Sequence, residues 1–194
     1  MMYSFNTVSL PNFLLPRTLH GRMLLLMFLL LGALVSITWL MVSMLVSSIL
    51  EEYIGRNALN VSKTVSLTTV VHEGLINKNS TQIQLYAESV RKATGARFVV
   101  VGDHEGRRYS HPVPERIGKL MVGGDNPRAL ERGEAYVSKA VGTLGPSMRG
   151  KVPIFANSGK VIGVVSVGYL QETVESVTEG YLQRVLLWVF GLFL

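Results

Sequence analysis

Two cations set two residues apart, Arg149 and Lys151 in Met148-Arg149-Gly150-Lys151-Val152-Pro153-Ile154, are the most pointed chemical feature of this chain. Side chains alternate between the faces of a strand, so this pair shares one face while Met148, Val152 and Ile154 take the other. Adjacent cations repel unless an anion lies between them, and Gly150 leaves backbone room there. Arginine offers a planar fork matched to a carboxylate, and lysine offers a point charge. The same spacing also suits two solvated charges on an exposed strand.

Two neighbouring runs favour the anion. Arg107-Arg108-Tyr109-Ser110-His111 concentrates further anion-binding groups, and the glycine-flanked turn Gly142-Thr143-Leu144-Gly145 can aim backbone N–H groups at an oxygen. Strict alternation sends Arg108 and His111 to opposite faces. Both reach one pocket only if the strand ends near Ser110 and Pro112 bends the chain. For His111 alone, a turn or capping role is an equal alternative.

Other chemistries are poorly served. The run from Gly145 to Lys151 fits the G-x-x-x-x-G-K part of a phosphate loop, but Val152 stands where Mg²⁺ needs a hydroxyl and Pro153 follows in a strand-like stretch. With no cysteine there is neither a disulfide nor a thiolate metal site. His20, His72, His104 and His111 lack metal-ligand spacing. No nucleophile–histidine–acid set or paired carboxylates stand out, so this stretch is not expected to be catalytic. Basic and aromatic residues are not interleaved in the manner that stacks bases, which argues against nucleic acid.

The elements that must position these residues begin in a membrane. Residues 23–50 carry no charged side chain, and a bilayer core of about 30 Å needs about 20 apolar residues in a helix. Arg17 and Arg22 precede this run and Glu51 and Glu52 follow it, which places residues 1–22 in the cytoplasm and the rest outside. A signal peptide would have a shorter apolar stretch and a cleavage site. Residues 185–194 start a second apolar run and are read as the cut beginning of another span. Between the two, residues 51–184 are one domain's worth of chain, with 17 Lys/Arg against 13 Asp/Glu.

Within it, Ile54, Ala58, Val61 and Val65 mark one helical face, and an unbroken amphipathic stalk is predicted over 51–76. Ser80 as N-cap and Gly95 as stop predict a second helix. Strands are predicted at 97–102, 107–110, 135–141, 148–155 and 161–169, around an irregular stretch at 112–133 that holds one short helix. Residues 170–184 read as an exit helix. The order predicts an α+β domain with a five-stranded antiparallel sheet and flanking helices.

Several of these runs resemble a known family. Val101-Gly-Asp, Gly106, Tyr109-Ser-His111-Pro, Ile117-Gly118-Lys119, Gly124-Asp125 and Ala129-Leu130 are similar to the extracytoplasmic sensor domain of bacterial citrate and dicarboxylate sensor histidine kinases, the CitA/DcuS group. So are Gly142-Thr-Leu-Gly145, the run from Ser147 to Ile154, and the run from Gly159 to Tyr169. The resemblance covers about residues 20–194 and implies a PAS-like (PDC-type) domain between two membrane helices of a homodimeric two-component kinase. It implies a bacterial cytoplasmic membrane location with the sensor outside (periplasmic), a response regulator as partner, and ATP and Mg in a kinase region beyond this chain. Carried over, the citrate-binding pattern falls on Arg108, His111, Gly142, Thr143, Leu144, Arg149, Lys151 and Ser166. Thr143 keeps the hydroxyl of a usual serine, and Val100 stands where a threonine is frequent. Arg108-Tyr-Ser-His111-Pro is closer to the dicarboxylate sensors and Arg149-Gly-Lys151 to the citrate ones, with citrate the first choice because of Lys151. Two arginines, one lysine and a histidine open to protonation would balance two or three carboxylates. A chemoreceptor or cyclic-dinucleotide enzyme with the same input, or a signal-anchored structural dimer, is the alternative.

Overall fold

A computed structural model describes residues 18–170 together with Gly180, Gln183 and Arg184. Most of the segment expected to be cytoplasmic (residues 1–22), most of the exit helix expected over 170–184 and the second span expected over 185–194 lie outside the described residues. The chain divides into two compact units, Met1–Leu45 and Val46–Leu194.

Helix α1 (Leu19–Ser66) is long and apolar enough to cross a membrane. It does not run on to residue 76 as the lack of proline predicts. It stops at Ser66, and α2 (Thr69–Ile76) starts afresh. At the break Thr68 takes an extended conformation (φ −80°, ψ 132°); its hydroxyl bonds the Thr64 carbonyl at 3.0 Å, and Ser66 donates to the Lys63 carbonyl at 2.8 Å. Helix α3 (Ser80–Thr94) is capped one residue earlier than predicted, by the Asn79 side chain accepting from Gln82 N–H at 3.2 Å. It ends at Gly95 in the left-handed conformation, as a C-terminal glycine allows.

Four strands follow: β1 (Phe98–Asp103), β2 (Tyr136–Gly142), β3 (Gly145–Phe155) and β4 (Val161–Leu170). They form one antiparallel sheet in the order β1-β4-β3-β2. A fifth strand at 107–110 is not formed. Arg108 makes one isolated bridge to Gly102, and Arg107 turns to Leu120 instead. The reason is Ser110, whose hydroxyl accepts from Val101 N–H at 2.8 Å and donates to the Val99 carbonyl at 3.1 Å. A side chain thus occupies the edge that a backbone ladder would need, and the chain peels away.

The two faces of the sheet differ. Val99, Val101, Ile154, Val165 and Val167 point toward Val65, Val71, Leu75, Ile83 and Ala87 on the three helices, forming the main core. The opposite face carries Tyr136 and Val164, which pack in a small cluster with Ala129 of helix α4 (Pro127–Leu130), part of the covering segment that also holds a 3₁₀ turn (Pro114–Arg116). Arg149 and Lys151 lie on this second face. Residue 150 faces the helices: its carbonyl accepts from Ser62 Oγ at 2.8 Å, and a Cβ there would run into the α1 backbone at Ala58 and Leu59. The room left by Gly150 therefore admits a helix, not an anion. The Gly145–Lys151 run lies wholly inside β3, with no helix after it, so it has none of the geometry of a phosphate loop.

Candidate functional site

On the second face a cleft of about 350 Å³, solvent at its mouth included, opens between the sheet and its covering segment. Seven of the eight residues singled out from the sequence line it: Arg108, His111, Gly142, Thr143, Leu144, Arg149 and Ser166. Phe98, Met121, Val122 and Ser147 line it too and were not foreseen. Lys151 does not line it. It is 0% exposed, next to the cleft floor at Ser166 in the β3–β4 register.

Arg108 and His111 meet across the bend that their spacing requires. Tyr109 N–H still bonds the Val101 carbonyl at 2.7 Å, after which the Ser110 bonds and Pro112 turn the chain. Gln84 on α3 clamps the backbone of His111 from both sides, accepting from its N–H at 2.8 Å and donating to its carbonyl at 3.0 Å. The imidazole contacts Thr143 Oγ1 through Nε2 at 3.0 Å and faces the Val113 backbone through Nδ1. Thr143 sits in the two-residue turn that joins β2 to β3, so the histidine ties the hairpin tip to the covering segment.

The cations differ in how far they are already engaged. Arg149 spends four of its five N–H groups within the protein. Nε bonds Ser147 Oγ at 2.9 Å, Nη1 bonds the Val122 carbonyl at 3.4 Å and Asp125 Oδ1 at 3.3 Å, and Nη2 bonds the Ala140 carbonyl at 3.0 Å. Its guanidinium carbon also lies 5.8 Å from the Phe98 ring centre, within cation–π range. It passes so close to residue 142 that a Cβ there would collide with it, which is why a glycine ends β2. Lys151 Nζ pairs with Asp125 Oδ1 at 3.1 Å and bonds Asn126 Oδ1. Arg108 is 4% exposed, and among the described residues its guanidinium has no hydrogen-bond or ion-pair partner.

Electrostatics follow from this. Burial lowers the Arg108 pKa from its ordinary value, and Arg116 and Arg149 lower it further. Burial also pushes Lys151 down, to about 8, against the pull of Asp125. For Asp125 burial acts upward, but Lys151, the Ser138 hydroxyl and Arg149 outweigh it and hold the carboxyl below its usual range. Burial drives His111 below the ordinary imidazole pKa, with Arg108 and Arg116 adding to the fall. The imidazole is therefore neutral at pH 7 in the free protein.

A carboxylate beside His111 would favour its charged form and raise its pKa. Binding then takes up a proton, and affinity rises as pH falls toward and below the ordinary imidazole value of about 6.5. We expect His111→Gln to flatten this rise, read as the difference between variant and wild type with the same ligand by calorimetry. Parallel pH profiles for the two proteins would exclude His111 from ligand contact.

A four-stranded antiparallel sheet with helices on one face and a cation-lined cleft on the other is the architecture of PAS-like sensor domains. Residues 44–183 match the family of single cache domain 3. The chain is 55% identical over 129 residues to sensor protein CitS of Halalkalibacterium halodurans, spanning 66% of this chain and 24% of that protein. It is 34% identical over 179 residues to sensor histidine kinase CitA of Klebsiella pneumoniae, spanning 90% and 32%. Among solved structures, the sensor domain of E. coli DcuS superposes with a TM-score of 0.63 at 35% identity, covering 66% of this chain and 96% of that domain. This chain belongs to the single cache domain 3 family, as a sensor region of the CitA/DcuS kind. It spans about a quarter to a third of the length of those curated relatives.

Proposed function

We propose that the cleft binds citrate or a related di- or tricarboxylate outside the cytoplasmic membrane. The domain would serve as the input of a homodimeric two-component histidine kinase whose ATP- and Mg-dependent part lies beyond this chain. One observation carries the reading: Arg108 is buried, repelled by Arg116 and Arg149, and has no acceptor among the described residues. A guanidinium that lines the cleft with no protein acceptor is free to take one from a ligand, and a carboxylate is the group that matches its fork. The remaining Nη2 hydrogen of Arg149, the Thr143 hydroxyl and His111 converge on the same space. Charge-assisted hydrogen bonds contribute about 1.5–3 kcal/mol each. Several acting together offset the desolvation and immobilisation of a small polyanion.

The output follows from where β4 leads. Its Ser166 lines the cleft, and beyond Leu170 the chain continues toward the expected second span. A ligand that draws the β2–β3 turn onto the sheet would shift β4, provided it binds one arrangement better than the other. The test is a thermal-shift screen of the whole chain in lipid nanodiscs against citrate, isocitrate, malate, fumarate, succinate, tartrate and phosphate. At about 100 times Kd a bound ligand adds about 2.7 kcal/mol of stability. At least one polycarboxylate should raise Tm by several degrees; a screen in which none does would overturn the reading.

A further inference from the structure

Alternation along a strand would send Arg108 and His111 to opposite faces, so whatever fixes the bend between them decides whether His111 reaches the cleft. Three residues act there. Ser110 holds the sheet side of the bend through Val99 and Val101. Pro112 follows with no N–H to offer. Gln84, from α3, takes both main-chain groups of His111: its amide oxygen accepts from the N–H at 2.8 Å, and its amide nitrogen donates to the carbonyl at 3.0 Å. A side-chain amide thereby stands in for one residue of a partner strand where the chain leaves the sheet. His111 is buried, and removing the amide would leave its N–H and carbonyl without partners, which is destabilising. Ile83, next to Gln84 on α3, is buried in the main core, so the clamp is mounted on a fixed element.

We infer that Gln84, which does not line the cleft, is a positioning residue of the ligand site: it acts through His111, holding the imidazole against the hairpin turn and toward a bound carboxylate. This rests on the reading of the cleft as a carboxylate site. With the backbone of residue 111 fixed, Nε2 lies 3.0 Å from Thr143 Oγ1 and Nδ1 faces the Val113 backbone. The amide on the helix thus governs how the covering segment meets the β2–β3 turn. Without it, the His111 backbone turns to water for its hydrogen bonds and carries the ring away from Thr143. The charged groups that act on this imidazole are the cations Arg108 and Arg116, and burial acts in the same direction. A ring moved outward escapes both, so its pKa returns toward the ordinary value of about 6.5.

Two readouts on the whole chain in nanodiscs separate positioning from mere support. In the free protein, carbon-13 histidine NMR follows the titration of His111, assigned by its disappearance in His111→Gln. Gln84→Met should move that titration upward from its wild-type position. With citrate as the probe, calorimetry at about pH 6.5 should show Gln84→Met binding about tenfold more weakly. Combined with His111→Gln it should bind little more weakly than His111→Gln alone, because nothing is left to position. Asn79→Ala, which removes the N-cap of α3 without touching His111, should lower Tm and leave both readouts at wild type. An unmoved His111 titration, wild-type affinity in Gln84→Met, or losses that multiply in the double variant would each overturn the inference. If circular dichroism shows that Gln84→Met fails to fold, Gln84→Glu, which keeps the acceptor and loses the donor, is judged by the same double-variant comparison. Should wild type bind neither citrate nor any polycarboxylate in the thermal screen, the carboxylate reading fails, and the NMR comparison still decides whether Gln84 holds His111 in place.

Discussion

Arg108→Met should lower affinity for a polycarboxylate more than about a hundredfold while leaving the free protein as stable as wild type or more so. The two halves of this expectation have one cause. Methionine fills much of the same volume but cannot donate, so a ligand carboxylate loses a bidentate, charge-assisted partner at about 1.5–3 kcal/mol per bond. A loss of about 3 kcal/mol is already more than a hundredfold in Kd. In the absence of ligand the same change relieves the protein. The guanidinium is desolvated, faces Arg116 and Arg149, and has no acceptor among the described residues. Replacing an unbalanced buried charge with an apolar side chain of similar size is commonly neutral or stabilising by about 1–4 kcal/mol. Calorimetry for binding and thermal unfolding without ligand check the two halves separately. A variant that binds normally, or one that loses binding only because it has unfolded, contradicts the account. A structural arginine would behave in the opposite way, losing stability first.

The contrast between Arg108 and its neighbours shows what could be read from the chain. The shared face of Arg149 and Lys151 was legible because strand periodicity is strictly local. So were the apolar run before Glu51 and the stop at Gly95. The sequestering of Lys151 was not, because its partners Asp125 and Asn126 lie about 25 residues away in a segment without periodicity. That segment is positioned by long-range contacts such as Tyr136 to the Asp125 carbonyl and Gln84 to His111. The missing fifth strand has the same origin. Residues 107–110 have a passable strand composition, and what stops the ladder is the hydroxyl of Ser110 bonding Val99 and Val101. The break after Ser66 has no sequence signal: residues 62–68 hold neither proline nor glycine, and the hydroxyl-to-carbonyl bonds found there also occur at Ser36 and Thr38 inside the unbroken helix. Phe98, Met121 and Val122 line the cleft without a sequence signal, since an apolar residue facing a cleft looks the same as one facing a core.

Gly150→Val should strip α1 from the sheet. At this position β3 meets the helix backbone to backbone, and the nearest atoms to an added Cβ belong to the main chain at Ala58 and Leu59. Flexible side chains can yield a few tenths of an ångström; a helix backbone fixed along its length cannot, so the cost exceeds the usual 1–3 kcal/mol of an overpacked core, reaching about 4 kcal/mol. The bonds that Ser62 makes across the junction, to the Gly150 carbonyl at 2.8 Å and from Val167 N–H at 3.2 Å, go with it. Amide hydrogen exchange along β3 and β4 is the direct readout, because protection there reports the opening of this junction. Protection unchanged from wild type would show that the helix rests elsewhere. The position matters for more than folding. Arg149 and Lys151 flank it on the opposite face, so the residues that surround the cleft and the residue that seats α1 are consecutive in one rigid strand. Gly150→Ala already sets its Cβ against the α1 main chain, so it too should displace the helix, by less than valine does, and tilt those side chains; we expect it to change ligand affinity by about tenfold although nothing at position 150 reaches the cleft. An alanine variant with wild-type affinity would mean that the strand does not couple the cleft to the helix.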